Sequence, residues 1–305
     1  MEYQQEFLDR DGQRLGIQLY PEPDPVPGPT PEPVSGPAPS NPAPLALVLP
    51  AMGAPARFYR PFAAYLRDVG FAVAVADLRG IGSSTPRPGR TSAYGIADLV
   101  DDLPAVLDWL GRRRAGRPIL LVGHSLGGLV GLLHLGLTND RSVDGLVLIG
   151  SGLPYWRAYP FPRRYRVRAF ARSVGLLARL IGYWPGWTFG GRQSLGVISD
   201  WAGCLCFNQV PVRAGVDGEA AFARMSTPVL SVTIEPDPLL PTSATEHTLA
   251  RLSSARVERM VFSGTDAPGA QVDHFRWVPV SGAIAARIAA FARATCTDQS
   301  TDLAT

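Results

Sequence analysis

The chain has 305 residues, 46% of them hydrophobic and 18% charged, and a formal net charge of +3. That apolar content supports a sizeable core and excludes global disorder. Every basic residue is an arginine, which excludes Schiff-base chemistry, a Ser–Lys dyad and a Walker phosphate loop.

Residues 3–8 and 14–20 flank the turn signal Asp9-Arg10-Asp11-Gly12 and read as a β-hairpin, so 1–20 forms an N-terminal hairpin of the core sheet. From Pro21 to Pro44 proline recurs too often for a ladder or a helix, and 21–44 is expected as an extended or disordered loop, either a surface insertion or a docking segment. Leu45–Leu49 and Phe71–Ala76 read as buried strands around a helix whose face carries Phe58, Phe62, Tyr65, Leu66 and Val69. A helix follows from about Ala93 to Arg113, then strands at Ile119–Val122 and Leu146–Ile149. This alternation over 45–150 signals parallel βαβ units with both faces covered. It stops over 151–227 and resumes over 228–295, with strands at Val229–Ile234 and Val257–Phe262. Helices are expected from about Ser243 to Leu252 and from Val278 to about Ala294, and 296–305 is expected as a flexible tail.

The chemistry is concentrated at Gly123-His124-Ser125-Leu126-Gly127, a Gly-x-Ser-x-Gly turn between the Ile119–Val122 strand and the apolar segment Leu129–Leu137. A serine on such a strained elbow stands clear of the sheet, and the first turn of the following helix aims free N–H groups at whatever it attacks. A serine hydroxyl needs a base, and the base needs an acid to orient it. Of four histidines, His124 belongs to the elbow, His134 lies along the next helix and His247 inside a later one. His274, in the loop Gln271–Phe275 after the last strand, emerges at the same sheet rim as Ser125 and is the expected base. The acid is expected in Thr233-Ile234-Glu235-Pro236-Asp237-Pro238, where both Glu235 and Asp237 are available; Asp273 is too close in sequence to His274. The expected oxyanion donors are the backbone N–H groups of Leu126 and Met52.

These segments resemble the α/β-hydrolase superfamily over about Leu45–Ala294, and more narrowly a bacterial group of uncharacterised serine hydrolases. The resemblance is carried by Ala51-Met52-Gly53 through Ala63, Asp77-Leu78-Arg79-Gly80-Ile81-Gly82-Ser83, Val106–Leu110, the Ser125 elbow and Asp273-His274-Phe275. It implies a mostly parallel, doubly wound α/β sheet of about eight strands with an inserted helical lid. It also implies Ser125 as nucleophile, Asp237 as acid, His274 as base, and Met52 and Leu126 as oxyanion donors. Many superfamily members have His-Gly where this chain has Pro50-Ala51.

The lid expected at 151–227 is rich in aromatics, of which Tyr155, Trp156, Trp184 and Trp187 are the candidates for the substrate pocket. Between Ser151 and Ser199 it carries eight arginines and no acid. On a helix over 163–181, Arg164, Arg168 and Arg172 form a stripe that could recruit an anionic substrate or partner, CoA or an acyl-carrier protein. The expected activity is hydrolysis of a small-molecule ester or thioester without metal or organic cofactor. The alternatives are a triad-dependent acyltransferase, cyclase or eliminating enzyme on a carrier- or CoA-linked substrate, and a non-catalytic binding module.

No nucleic-acid partner is expected, because no recognisable binding module is present. Met1–Glu6 is polar and acidic rather than a secretory signal, and no apolar run reaches about 18 residues, so a cytoplasmic protein without a membrane partner is expected. Cys204 and Cys206 lack a second pair or a nearby histidine and read as buried thiols.

Overall fold

The computed structural model describes residues 2–10, 12–21, 44–114 and 116–302, with backbone alone for 296–302. The proline-rich segment read from the sequence lies almost wholly outside the described residues. In chain order the strands are β1 (Gln4–Arg10), β2 (Gln13–Tyr20), β3 (Leu45–Leu49), β4 (Ala72–Ala76), β5 (Ile119–His124) and β6 (Gly145–Ile149). They are followed by β7 (Tyr183–Trp184), β8 (Gln193–Ser194), β9 (Val229–Glu235) and β10 (Val257–Ser263). The helices are α1 (Arg60–Asp68), α2 (Ile96–Gly111), α3 (Leu126–Thr138), α4 (Arg163–Ile181), α5 (Leu195–Phe207), α6 (Gly218–Arg224), α7 (Thr242–Leu249) and α8 (Gly282–Asp302).

Eight strands form one sheet in the order β1-β2-β4-β3-β5-β6-β9-β10, and β7 pairs with β8 apart from it. Within the eight-stranded sheet the β1–β2 and β2–β4 pairs are antiparallel and the other pairs are parallel, while β7 and β8 pair antiparallel. Side chains alternate across a strand, and the core divides accordingly. Leu45, Leu47, Leu121 and Leu146 pack on one face with residues of α2 and α3, while Val48, Leu120, Val122 and Val147 pack on the other with residues of α1 and α8. Because both faces are covered, the central strands read as continuous apolar runs instead of alternating ones. The expected doubly wound sheet is present.

Local sequence sets the helix ends. Pro61 occupies the first turn of α1, where its missing N–H costs nothing. Asp98 accepts the N–H of Gly95 at 2.7 Å and puts an acid at the positive end of α2. Asn139 closes α3 in the left-handed conformation.

Three expectations shift. Phe58 and Val69 are exposed, so α1 buries Phe62, Ala63 and Leu66 instead of the broader face read from the sequence. Helix α8 runs on to Asp302 through what was expected to be tail. Helix α6, assigned by sequence to the lid, packs against α3 and sends Phe222 into the main core. Gly136 permits this contact, since a Cβ there would lie 2.9 Å from the Ala221 carbonyl oxygen. The rest of the 151–227 segment is built on α4, α5 and the β7–β8 pair.

Candidate active site

Ser125 sits between β5 and α3 at φ 52 and ψ −116, a conformation a non-glycine residue holds only where its surroundings enforce it. Its N–H donates to the Ile149 carbonyl at 3.0 Å, and its own carbonyl accepts from Ser151 Oγ at 2.6 Å. The flanking glycines are required by contact. A Cβ on Gly123 would lie 2.2 Å from Gly128 Cα, and one on Gly127 would lie 2.2 Å from the Leu49 carbonyl oxygen. Leu126 is the first residue of α3, where backbone N–H groups have no intrahelical acceptor.

The β9 loop and the loop before α8 meet beside this elbow. His274 Nδ1 lies 2.5 Å from Asp237 Oδ2, both side chains buried. The other carboxylate oxygen of Asp237 accepts the Leu239 and Leu240 N–H groups at 2.7 and 2.9 Å, so this carboxylate is fixed from both sides. Gly150, at φ +48, makes room: a Cβ there would come within 3.3 Å of Asp237 Oδ2 and 3.4 Å of His274 Nδ1. Glu235, the alternative acid, is exposed and accepts from Thr242 Oγ1 at 2.7 Å. Asp273 instead accepts the N–H groups of Phe275 and Arg276, which shapes the turn that presents His274.

The loop after β3 is anchored in a way the sequence did not reveal. Fully buried Tyr59 accepts the Ala51 N–H at 2.8 Å and lies 2.7 Å from His124 Nδ1. The loop with Pro50-Ala51 in place of His-Gly is thus tied through a tyrosine to the elbow. The His124 ring also lies 4.9 Å from the His274 ring at a 43° tilt, and the Trp277 indole N–H points at its Nε2 at 3.4 Å. Burial, and secondarily the charge of nearby His274, hold the His124 pKa well below its ordinary 6.5.

A proton that binds His124 in the unfolded chain but not in the folded one favours unfolding. This group's contribution is therefore fully present above about pH 6.5 and is lost as pH falls toward the folded value, by up to ~1.4 kcal/mol per pH unit. Urea unfolding from pH 7.5 to 5 is expected to show a shallower acid loss in His124→Asn than in the wild type. Equal slopes would remove His124 as the source.

Ser125, His274 and Met52 line one cavity of about 710 Å³ together with residues of α3, α4 and α5. Its aromatic wall is Phe170, Phe189, Trp201, Tyr159 and Phe275. The four aromatics singled out from the sequence do not line it. Trp184 is buried in the main core, its indole donating to the Phe189 carbonyl at 3.0 Å, and Trp187 is 68% exposed. Trp156 lies under the Arg168 guanidinium, and the Tyr155 ring packs 5.4 Å from that of His247 at a tilt. An inserted segment must fill the core as well as line a cleft, and residue type alone does not separate the two tasks.

The arginine stripe is likewise placed elsewhere. Arg168 covers the Trp156 ring at 4.7 Å and Arg164 lies over Phe161 and Tyr165, while Arg172 is exposed on the outer face. The arginines that reach the cavity are Arg163 and Arg166. Cys204 lines the cavity as well, and burial raises its pKa, keeping the thiol protonated. Among the described residues no group of His, Cys, Asp and Glu could hold a metal ion, and no helix is long and apolar enough to cross a membrane.

The same architecture recurs in solved structures. The ferulic-acid complex of Est1E from Butyrivibrio proteoclasticus superposes with a TM-score of 0.64 at 16% identity, covering 95% of this chain and 99% of that one. The fold is that of the α/β hydrolases. Residues 40–201 match the model of Hydrolase_4 (serine aminopeptidase, S33), just over half of the chain, and the chain belongs to that family of α/β-hydrolase enzymes. Two curated relatives are both named "Putative carbamate hydrolase RutD". The one from Variovorax paradoxus is 35% identical over 132 residues, 43% of this chain and 44% of its own length. The one from Pseudomonas savastanoi pv. phaseolicola is 28% identical over 243 residues, 73% of this chain and 86% of its own.

Proposed function

We propose that this enzyme is a serine hydrolase that cleaves an ester or thioester through an acyl-enzyme. Ser125 is the nucleophile, His274 the base and Asp237 the orienting acid. The observation that carries the reading is the buried 2.5 Å contact between His274 Nδ1 and Asp237 Oδ2 on the wall of the cavity that Ser125 also lines. A carboxylate only accepts, so Nδ1 carries the hydrogen and Nε2 is left with a lone pair. His274 then takes the Ser125 proton as Oγ attacks the acyl carbon. The tetrahedral oxygen is held by the N–H groups of Leu126 and Met52. Collapse breaks the bond to the leaving group, which departs with the proton from His274. Water repeats the sequence on the acyl-enzyme: one proton goes to His274, the hydroxyl joins the acyl carbon, and Ser125 recovers its proton as the acid leaves.

The cavity sets the substrate scale. A pocket of about 710 Å³ with an aromatic wall suits a ligand of drug-like size, and a carbamate of a few atoms would leave most of it empty. Medium-chain or aryl esters are expected to show kcat/KM about ten-fold or more above acetyl esters and simple carbamates, since each buried methylene adds about 0.8 kcal/mol. A panel of aryl esters from two to eight carbons, run beside a carbamate, checks this. Faster turnover of the carbamate would overturn the substrate assignment.

A further inference from the structure

We infer that the substrate carries an anionic group, a carboxylate or phosphate, separated from the scissile carbonyl by an apolar stretch, and that Arg166 is the residue that selects it. This rests on the proposed ester or thioester chemistry at Ser125, and deepens it.

Arg163, Arg166, Val167 and Phe170 all line the cavity. Their spacing, i, i+3, i+4, i+7, puts them on one face of α4. The face is two-part: cationic in the first helical turn, apolar after it. Among the described residues no carboxylate lines the cavity to neutralise these charges, and the sequence from Ser151 to Ser199 contains none at all.

The two arginines are not equivalent. Arg163 donates to the Pro238 carbonyl in the loop that holds Asp237, so it is engaged in joining lid to core. Arg166 is exposed and makes no ion pair among the described residues. Its neighbours deepen the positive field. Arg164 stands in the same turn, the first turn of α4 has no acid, and Pro162 gives it no side-chain cap. Cations at the positive end of a helix repel its dipole, and an anion placed there relieves both. The aromatic wall of Phe170, Phe189 and Trp201 then accommodates the apolar connection towards Ser125.

Such an anion has two chemical sources. It can be the far end of the acyl group, as in the monoester of a dicarboxylic acid, or it can belong to the leaving group, as in an acyl-CoA. The test compares p-nitrophenyl hexanoate, the mono-p-nitrophenyl ester of adipic acid and hexanoyl-CoA in wild type, Arg166→Gln and, as control, Arg179→Gln in the exposed last turn of α4. The wild type is expected to favour one of the two anionic substrates, which identifies the source. In Arg166→Gln the kcat/KM ratio of that substrate to the neutral ester falls about ten-fold, mostly through KM, as removal of a charge-assisted contact predicts. Added salt lowers the same ratio in the wild type, and Arg179→Gln leaves it unchanged. A ratio unaffected by Arg166→Gln overturns the inference.

Calorimetry on Ser125→Ala separates this result from the catalytic assignment. Tighter binding of the favoured anionic substrate than of the neutral ester, abolished by adding Arg166→Gln, supports the inference even where turnover fails. Equal binding of all three rejects it.

Discussion

Ser125→Ala is expected to lower kcat for an aryl ester by roughly 10⁵–10⁶-fold, with the folded state retained. Alanine removes the oxygen that attacks in the proposed mechanism, and what survives is the assistance of the oxyanion donors and of binding, on the order of 10³–10⁴ over water. The backbone at this position is held by bonds that do not involve the side chain: its N–H to Ile149 and its carbonyl from Ser151. The elbow therefore keeps its shape, and KM is expected to change little. Steady-state kinetics with active-site titration checks both numbers. A loss below a hundred-fold would move the nucleophile elsewhere.

The second large effect is that of Asp237→Asn. Oδ1 of the acid accepts two backbone N–H groups, from Leu239 and Leu240. An asparagine keeps those bonds only by turning its carbonyl oxygen toward them, which points its NH2 group at His274 Nδ1. Nδ1 must then accept, the ring proton moves to Nε2, and the base can no longer receive the serine proton. The expected loss in kcat is about 10⁴-fold at neutral pH with little change in thermal unfolding. Glu235→Gln, removing a carboxylate that is exposed and bonded to Thr242, is expected to stay within about two-fold of wild type. The opposite ranking would make Glu235 the acid.

Much of the framework is readable in the chain itself. The central strands are short, branched and apolar because both of their faces are covered, and the Gly123–Gly127 elbow declares itself because its glycines answer to backbone contacts and not to taste in packing. His274 can be singled out because a parallel sheet brings the loops after its strands to one rim. The choice between Glu235 and Asp237 has no such basis within the loop. It depends on which carboxylate the β9 turn folds back under the Leu239 and Leu240 amides.

What the sequence hid is long-range. Tyr59 and His124 are 65 residues apart and meet only through the packing of α1 and the elbow. The aromatics of the 151–227 segment cannot be sorted by type, because Trp184 and Phe189 are both large and aromatic, yet one fills the core and the other faces the cavity. The arginines carry a usable signal in a different helical phase from the Arg164–Arg168–Arg172 stripe. Starting the helical period at Arg163 collects Arg166, Val167 and Phe170, the face that lines the site, whereas Arg164 and Arg168 turn toward aromatic rings.

The central claim is that an acyl group rides on Ser125. Intact-mass measurement after brief exposure to a fluorophosphonate, followed by peptide mapping, addresses it most directly. One adduct per chain, on the peptide containing Ser125 and absent from Ser125→Ala, is the result expected. An unlabelled wild-type protein, or an adduct on any other residue, would contradict it.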